Sequence, residues 1–216
     1  EIDKRIEAQN PLDKTNRILL SMKEDLNMVE LPTHIECFDN SNLQGTDSVS
    51  SCVVFRNAKP SKRDYRHFNV KTVVGANDFA TMEEVVYRRY KRLISEKQSL
   101  PQLIVIDGGK GQLSSAAESL TRLGIMDNVK IIGIAKRLEE IYTVGDSVPL
   151  YLDKNSSTLK VIQNIRNEAH RFGIKHHKSK RSASTIKSEF DNIVGIGDKT
   201  KQLLFNAFRS YERIVE

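Results

Sequence analysis

Cysteine is scarce in this sequence: Cys37 and Cys52 are the only two among 216 residues. They fall in separate strand-like runs, so they make neither a metal-ligand pair at zinc-site spacing nor a disulfide framework, and both read as reduced core residues. No apolar run approaches the ~18 residues that a membrane span needs. The first residues, Glu1, Asp3, Lys4 and Arg5, carry no signal-peptide hydrophobic region. A cytoplasmic protein with no membrane partner is the expectation. Internal repeats and low-complexity tracts are also missing, which excludes solenoid and fibrous classes. What remains is a globular balance of 38% hydrophobic and 29% charged residues, long enough for one domain with an appendage.

The charge is unevenly placed. Lysine and arginine total 34 against 28 acidic residues, a net of +6, yet residues 160–187 alone hold eight cations and one anion, Glu168. That stretch is therefore +7 and the rest of the chain is near neutral. Cation gathered in one segment favours a polyanionic partner, because each phosphate neutralised releases condensed counterions.

Periodicity sets out an α/β chain. A short amphipathic helix is expected around Ile18, Leu19, Leu20 and Met22. Strand-like runs at 34–38, 48–55 and 64–70 read as an antiparallel meander. Met82, Val85, Val86, Arg89 and Leu93 follow at helical spacing, with Asn77, Asp78 or Thr81 available as N-cap. The continuous run Leu103, Ile104, Val105, Ile106 predicts a strand buried on both faces. A helix over 112–122, closed by Gly124, and a strand over 129–135 complete a β-α-β crossover. A hairpin is expected within 141–152, then a long helix from Ser157 with the stripe Val161, Ile162, Ile165, Ala169, Phe172. Beyond Ser179 a Ser, Lys and Arg-rich linker is expected, followed by a small helical module.

Chemistry concentrates at strand ends. Asp39 closes the first strand and Asp107 the buried one. Either alone reads as a turn residue; if the two strands are neighbours, both carboxylates lie at one end of the sheet, where ligands collect. Close carboxylates repel unless a divalent cation shares them, and oxygen donors suit Mg²⁺ or Mn²⁺. His170 borders the apolar stripe of the long helix and can ligate metal, take a proton from water, or donate one to a leaving oxygen. Arg166 and Arg171 flank it as DNA-binding candidates. In Gly108-Gly109-Lys110-Gly111, a nucleotide-binding loop fails because Ile104 and Gly111 stand where glycine and Ser/Thr are needed. The glycines instead allow a phosphodiester near a helix N-terminus, with Lys110 as a point charge. Val194-Gly195-Ile196-Gly197-Asp198-Lys199 looks like the turn of a helix-hairpin-helix, with Gly195 and Gly197 aiming backbone N–H groups at a phosphate and Lys199 adding charge.

Several motifs in one order carry a family resemblance. They are Ile35-Glu36-Cys37-Phe38-Asp39-Asn40-Ser41, Ser51-Cys52-Val53-Val54-Phe55, Tyr65-Arg66-His67-Phe68-Asn69, Arg88-Arg89-Tyr90, the segment 104–112, Glu168-Ala169-His170-Arg171-Phe172 and Val194-Gly195-Ile196-Gly197. From about Pro32 to the end, the chain resembles the C-terminal half of UvrC, the bacterial nucleotide-excision-repair endonuclease subunit. The resemblance implies an RNase H-like mixed five-stranded sheet flanked by helices, with a small all-α helix-hairpin-helix module behind it. The expected divisions are a helical lead-in at 1–31, the endonuclease domain at 32–180 and the DNA-binding module at 181–216. It also implies a divalent-metal nuclease cutting on the 5′ side of a lesion in double-stranded DNA. Asp39, Asp107 and His170 match the family's catalytic positions, with Asp39 a direct ligand of one Mg²⁺ or Mn²⁺ and Asp107 direct or through water. The partner implied is the UvrB–DNA complex, although the segment that contacts UvrB and the other nuclease domain are not evident, so a fragment is expected. Only one hairpin is evident, and Val194 stands where the family usually has proline. The alternative reading is a non-catalytic DNA-binding module of a repair complex.

Overall fold

In the first strand, β1 (His34–Leu43), successive side chains fall on opposite sides of the backbone, so Ile35 and Cys37 enter one apolar cluster and Phe38 another. The computed structural model describes residues 11–43, 47–73, 77–135, 140–190 and 197–208. They fall into two compact units, Glu1–Gly173 and Ile174–Glu216.

The first unit is built on one mixed sheet. β1 pairs antiparallel with β2 (Asp47–Arg56), whose other edge is covered by β3 (Lys59–Pro60) and β4 (Arg66–Asn69). On its other side β1 runs parallel to β5 (Leu103–Asp107), which runs parallel to β6 (Lys130–Ile134); β7 (Ile141–Thr143) closes the row antiparallel to β6. The sheet thus has seven strands where five were expected. Of the two additions, β3 has two residues, too short to show a strand period, and β7 is an arm of the hairpin expected within 141–152 that joins the sheet. The hairpin expected within 141–152 is reduced to one bridge, Ile141 to Leu150, because β7 spends its ladder on β6.

Helices cover both faces. α1 (Pro11–Asp25) brings Met22, and the turn after it Leu26 and Met28, to the cluster that includes Ile35, Cys37, Val105 and Ile132. α4 (Ser157–Phe190) adds Val161, Ile162, Ile165 and Ala169 to the same cluster. On the opposite face α2 (Asp78–Ser95) buries Met82, Val85, Val86, Tyr90 and Leu93, at the expected helical spacing. Its N-cap is Asn77, whose side chain accepts from the Ala80 N–H at 3.1 Å. α3 (Lys110–Arg122) packs beside α2 and ends in paired bonds, Gly124 N–H to Thr121 and Ile125 N–H to Leu120, with Gly124 at φ 69°. A left-handed residue there favours glycine.

The linker expected after Ser179 is not formed, since α4 continues to Phe190. Residues 174–190 contain neither glycine nor proline, and Lys, Arg and Ala are good helix formers, so composition alone misplaced a break. In the second unit α5 (Asp198–Phe208) follows Gly197; of the turn expected at Val194-Gly195-Ile196-Gly197-Asp198-Lys199, residues 194–196 lie outside the described residues. Among the described residues no helix is long and apolar enough to cross a membrane.

Candidate active site

Register brings the two carboxylates together. β1 and β5 are parallel neighbours, and the last pair in their ladder is Asp39 with Asp107. Residues directly paired across strands share a face, so both side chains lie on the side covered by α4, above Cys37 and Val105. They are 1% and 4% exposed. Two carboxylates at this burial are electrostatically costly unless positive charge is close.

The third group comes from α4. Ala169 faces the core, so His170, one step around the helix, sits at its border with its side chain 51% exposed. His170 Nδ1 lies 3.2 Å from Asp39 Oδ2. One donor atom from each of Asp39, Asp107 and His170 lies within 4.8 Å of the other two. The helix is pinned at that level by Ser51, fully buried on β2, whose hydroxyl donates to the Ala169 carbonyl at 2.9 Å. Ser51 is also the ladder partner of Asp39, and His67 is the ladder partner of Ser51. A polar row, Asp107–Asp39–Ser51–His67, therefore crosses four adjacent strands on one face. At its far end the His67 ring stacks on Phe172 of α4 at 3.7 Å.

The field around the pair registers on Cys37. Burial, and then the charges of Asp107 and Asp39, push its thiol well above the usual range, with Arg166 acting in the opposite sense. Cys37 and Cys52 are buried free thiols, as expected of them. Arg166 is half-buried and donates to Asn167 Oδ1 at 3.3 Å. Arg171 is exposed and grips Glu168 through Nε and Nη2, at 2.7 and 2.6 Å. That ion pair, joined by the Tyr65 hydroxyl at 3.1 Å, holds the Glu168 carboxyl below its ordinary range and occupies it away from Asp39. Lys110 opens α3 three residues after Asp107; its ammonium donates to the Ser147 carbonyl at 2.6 Å and lies 5.0 Å from the centre of the Tyr142 ring. Gly197 and Lys199 are exposed in the second unit, and Gly195 is outside the described residues.

Two features escaped the sequence reading. Ser51 was legible only as a small residue in a strand. Glu36 sits wholly buried on the opposite face of β1, bound by His34, Arg89 and Tyr90. The available signal was an acid flanked by Ile35 and Cys37 in a core strand, which requires a buried cationic partner.

The donor set fits a hard divalent cation. Two carboxylates and one imidazole nitrogen, converging where the β1–β5 ladder ends although β1 itself runs on to Leu43, match the oxygen-rich sites of Mg²⁺ and Mn²⁺ more closely than thiolate sites for softer metals.

Comparison with known proteins fits this picture. The chain is 60% identical over 211 residues to UvrABC system protein C of Flavobacterium johnsoniae, covering 98% of this chain and 35% of that protein. It is 56% identical over 211 residues to the protein of the same name from Porphyromonas gingivalis, with the same coverage. The chain spans about a third of the length of these curated relatives. Among solved structures, an Endonuclease V from Streptomyces avermitilis aligns at TM-score 0.45 and 11% identity, covering 78% of this chain and 94% of that one, a likeness too loose to carry any conclusion. Residues 23–174 match the family described as the UvrC RNAse H endonuclease domain, a span holding β1 to β7 and all three converging side chains. The chain belongs to that family.

Proposed function

We propose that this chain is a divalent-metal-dependent DNA endonuclease of nucleotide excision repair, hydrolysing a phosphodiester on the 5′ side of a lesion in double-stranded DNA. The observation that supports it most is the ladder pair Asp39–Asp107 with His170 Nδ1 3.2 Å from Asp39. Asp39 and Asp107 would hold Mg²⁺ or Mn²⁺. Such an ion, when bound, neutralises phosphate charge and makes water a better nucleophile at neutral pH.

The chain's own residues supply the rest. Asp39 and Asp107 are fixed by the β1–β5 ladder, so their positions need no reorganisation on binding substrate. Asp39 orients the His170 imidazole through Nδ1, which leaves Nε2 to move a proton at the attacking or leaving oxygen. Lys110, tethered to Ser147 at the head of α3, and Arg166 on α4 add positive charge for the phosphate. Arg171 contributes to the same face while paired with Glu168. Gly195, Gly197 and Lys199 are proposed to grip DNA backbone as part of a helix-hairpin-helix module within 181–216, beside an endonuclease domain at 32–180 and the lead-in at 1–31. The relatives' name, UvrABC system protein C, supports a partner within that system, and the proposed reading places this chain with UvrB on DNA in the bacterial cytoplasm.

The test is nicking of lesion-bearing duplex DNA, with and without Mn²⁺, by the wild-type chain and by Asp39→Asn. Loss of nicking in the variant with DNA binding retained is expected. Wild-type nicking by the variant, or nicking indifferent to metal, overturns the assignment, and binding with no metal-dependent nicking by the wild-type chain favours a module that only binds DNA.

A further inference from the structure

The sheet edge beyond β2 is cationic in a way the fold does not require. Between positions 56 and 66 the chain carries Arg56, Lys59, Lys62, Arg63 and Arg66 against one acid, Asp64. All five cations are exposed, Arg63 most clearly, with 86% of its side chain open. Asp64 is engaged by the Ser61 hydroxyl at 2.9 Å and Arg56 Nε at 3.3 Å, leaving Arg63 at the looser 3.8 Å. Lysine on a strand edge guards against unwanted pairing with another sheet, which accounts for Lys59 on β3. It does not account for Lys62 and Arg63, which sit in a 3₁₀ turn at Lys62–Asp64 between the two short strands. Like charges held side by side there are unfavourable in isolation and await an anionic partner.

Placement identifies the partner. β3 and β4 lie along the same edge of β2, with Lys59 opposite Arg56 and Arg66 opposite Cys52. Four residues of strand separate those levels, about 13 Å. Duplex DNA presents one phosphate per ~3.4 Å of axis on each strand, so the run faces about four of them. At its upper end Arg66 adjoins His67, the last member of the polar row that begins at Asp107 and Asp39. β4 is two strand spacings from β1, about 10 Å. The edge therefore starts within a few phosphates of the carboxylate pair and leads away from it.

We propose that Lys59, Lys62 and Arg63 form a track for the phosphate backbone of DNA flanking the cut. The proposal rests on the reading of the chain as a DNA nuclease. Arg66 is a poorer contact because its Nη1 already donates to the carbonyls of Arg63 and Tyr65, at 2.9 and 2.7 Å, where it braces the turn. The track carries no sequence information, since it touches phosphate and not base edges.

The test is a fluorescence-anisotropy titration of the 216-residue chain against labelled duplex DNA across a salt series. In K59Q/K62Q/R63Q the plot of log affinity against log salt becomes shallower by about 2 to 3, and low-salt affinity falls roughly tenfold or more, uniformly across sequences. R63Q alone, on the most open of the three side chains, makes the slope shallower by about 0.9, and its thermal midpoint matches wild type. A triple variant that keeps the wild-type slope refutes the track. So does one that keeps the slope but loses binding to polyglutamate, which assigns the edge to an acidic protein. The nicking rate of Asp39→Asn decides the nuclease reading separately, so either conclusion can fail while the other stands.

Discussion

Replacing Glu36 by glutamine should destabilise this protein by about 3 kcal/mol at neutral pH, and by progressively less in acid. The Glu36 side chain has no exposed surface, and burial alone would raise its pKa. Hydrogen bonds from His34 at 3.2 Å and from Arg89 at 3.2 and 2.5 Å, with the Arg89 charge, outweigh that and hold it at about 2. Tyr90 donates a further bond at 3.0 Å. A drop from the ordinary 4.5 to about 2, at ~1.36 kcal/mol per pH unit, corresponds to about 3 kcal/mol of stability. Because the folded value lies below the unfolded one, that contribution is complete above pH 4.5 and is lost as pH falls toward about 2. In Glu36→Gln the Arg89 guanidinium, 11% exposed, keeps a neutral acceptor but loses its counter-charge. Urea denaturation followed by circular dichroism, on wild type and variant across that pH range, reads the gap directly. A gap that is absent at neutral pH, or that stays constant into acid, refutes the reasoning. Removing both charges together, as Glu36→Leu with Arg89→Met, should cost less than Glu36→Gln alone, since no uncompensated ion is left in the core.

Ser51→Ala removes the bond that seats Ala169, and should lower the nicking kcat about 5- to 10-fold, the worth of ~1 kcal/mol, with KM unchanged and Ser51→Thr recovering part of the loss. Equal kcat in Ser51→Ala would show that α4 is positioned without it. His170→Ala should reduce nicking by ~10²–10⁴-fold with DNA affinity preserved, and a full-rate variant would remove His170 from the chemistry. Gly133→Ala should cost about 1 to 3 kcal/mol in urea denaturation, because a Cβ there lies 3.2 Å from the Gly108 carbonyl and 3.3 Å from the Leu113 Cβ; an unchanged midpoint would show that the turn after Asp107 yields freely.

Local pattern was informative where the physics is local. The helical spacing of Met82, Val85, Val86 and Leu93 appears as read, and so does the closing turn at Gly124, while Asn77 is the one of three offered residues that caps the helix. The unbroken apolar run at 103–106 is a strand buried on both faces. Local pattern failed for β3, which is a strand only because the edge of β2 lies beside it, and for the pairing of β7, read as a hairpin arm but laddered on β6. It failed again after Ser179, where residues common in linkers continue a helix that nothing interrupts.

The sequence by itself determined most of the elements, the place of Asp107 at the end of its strand, and the crowding of cations over 160–187, since these follow from side-chain period, caps and charge along the chain; Asp39, expected to close its strand, lies within β1, which runs on to Leu43 along β2. Only the tertiary structure decided that β1 and β5 are neighbours in the register that pairs Asp39 with Asp107, that Ser51 seats His170 beside them, and that Glu36 meets Arg89. Those contacts join residues 53 to 131 positions apart. Strand order and register are set by the competition of whole faces for burial, which no window of local sequence contains.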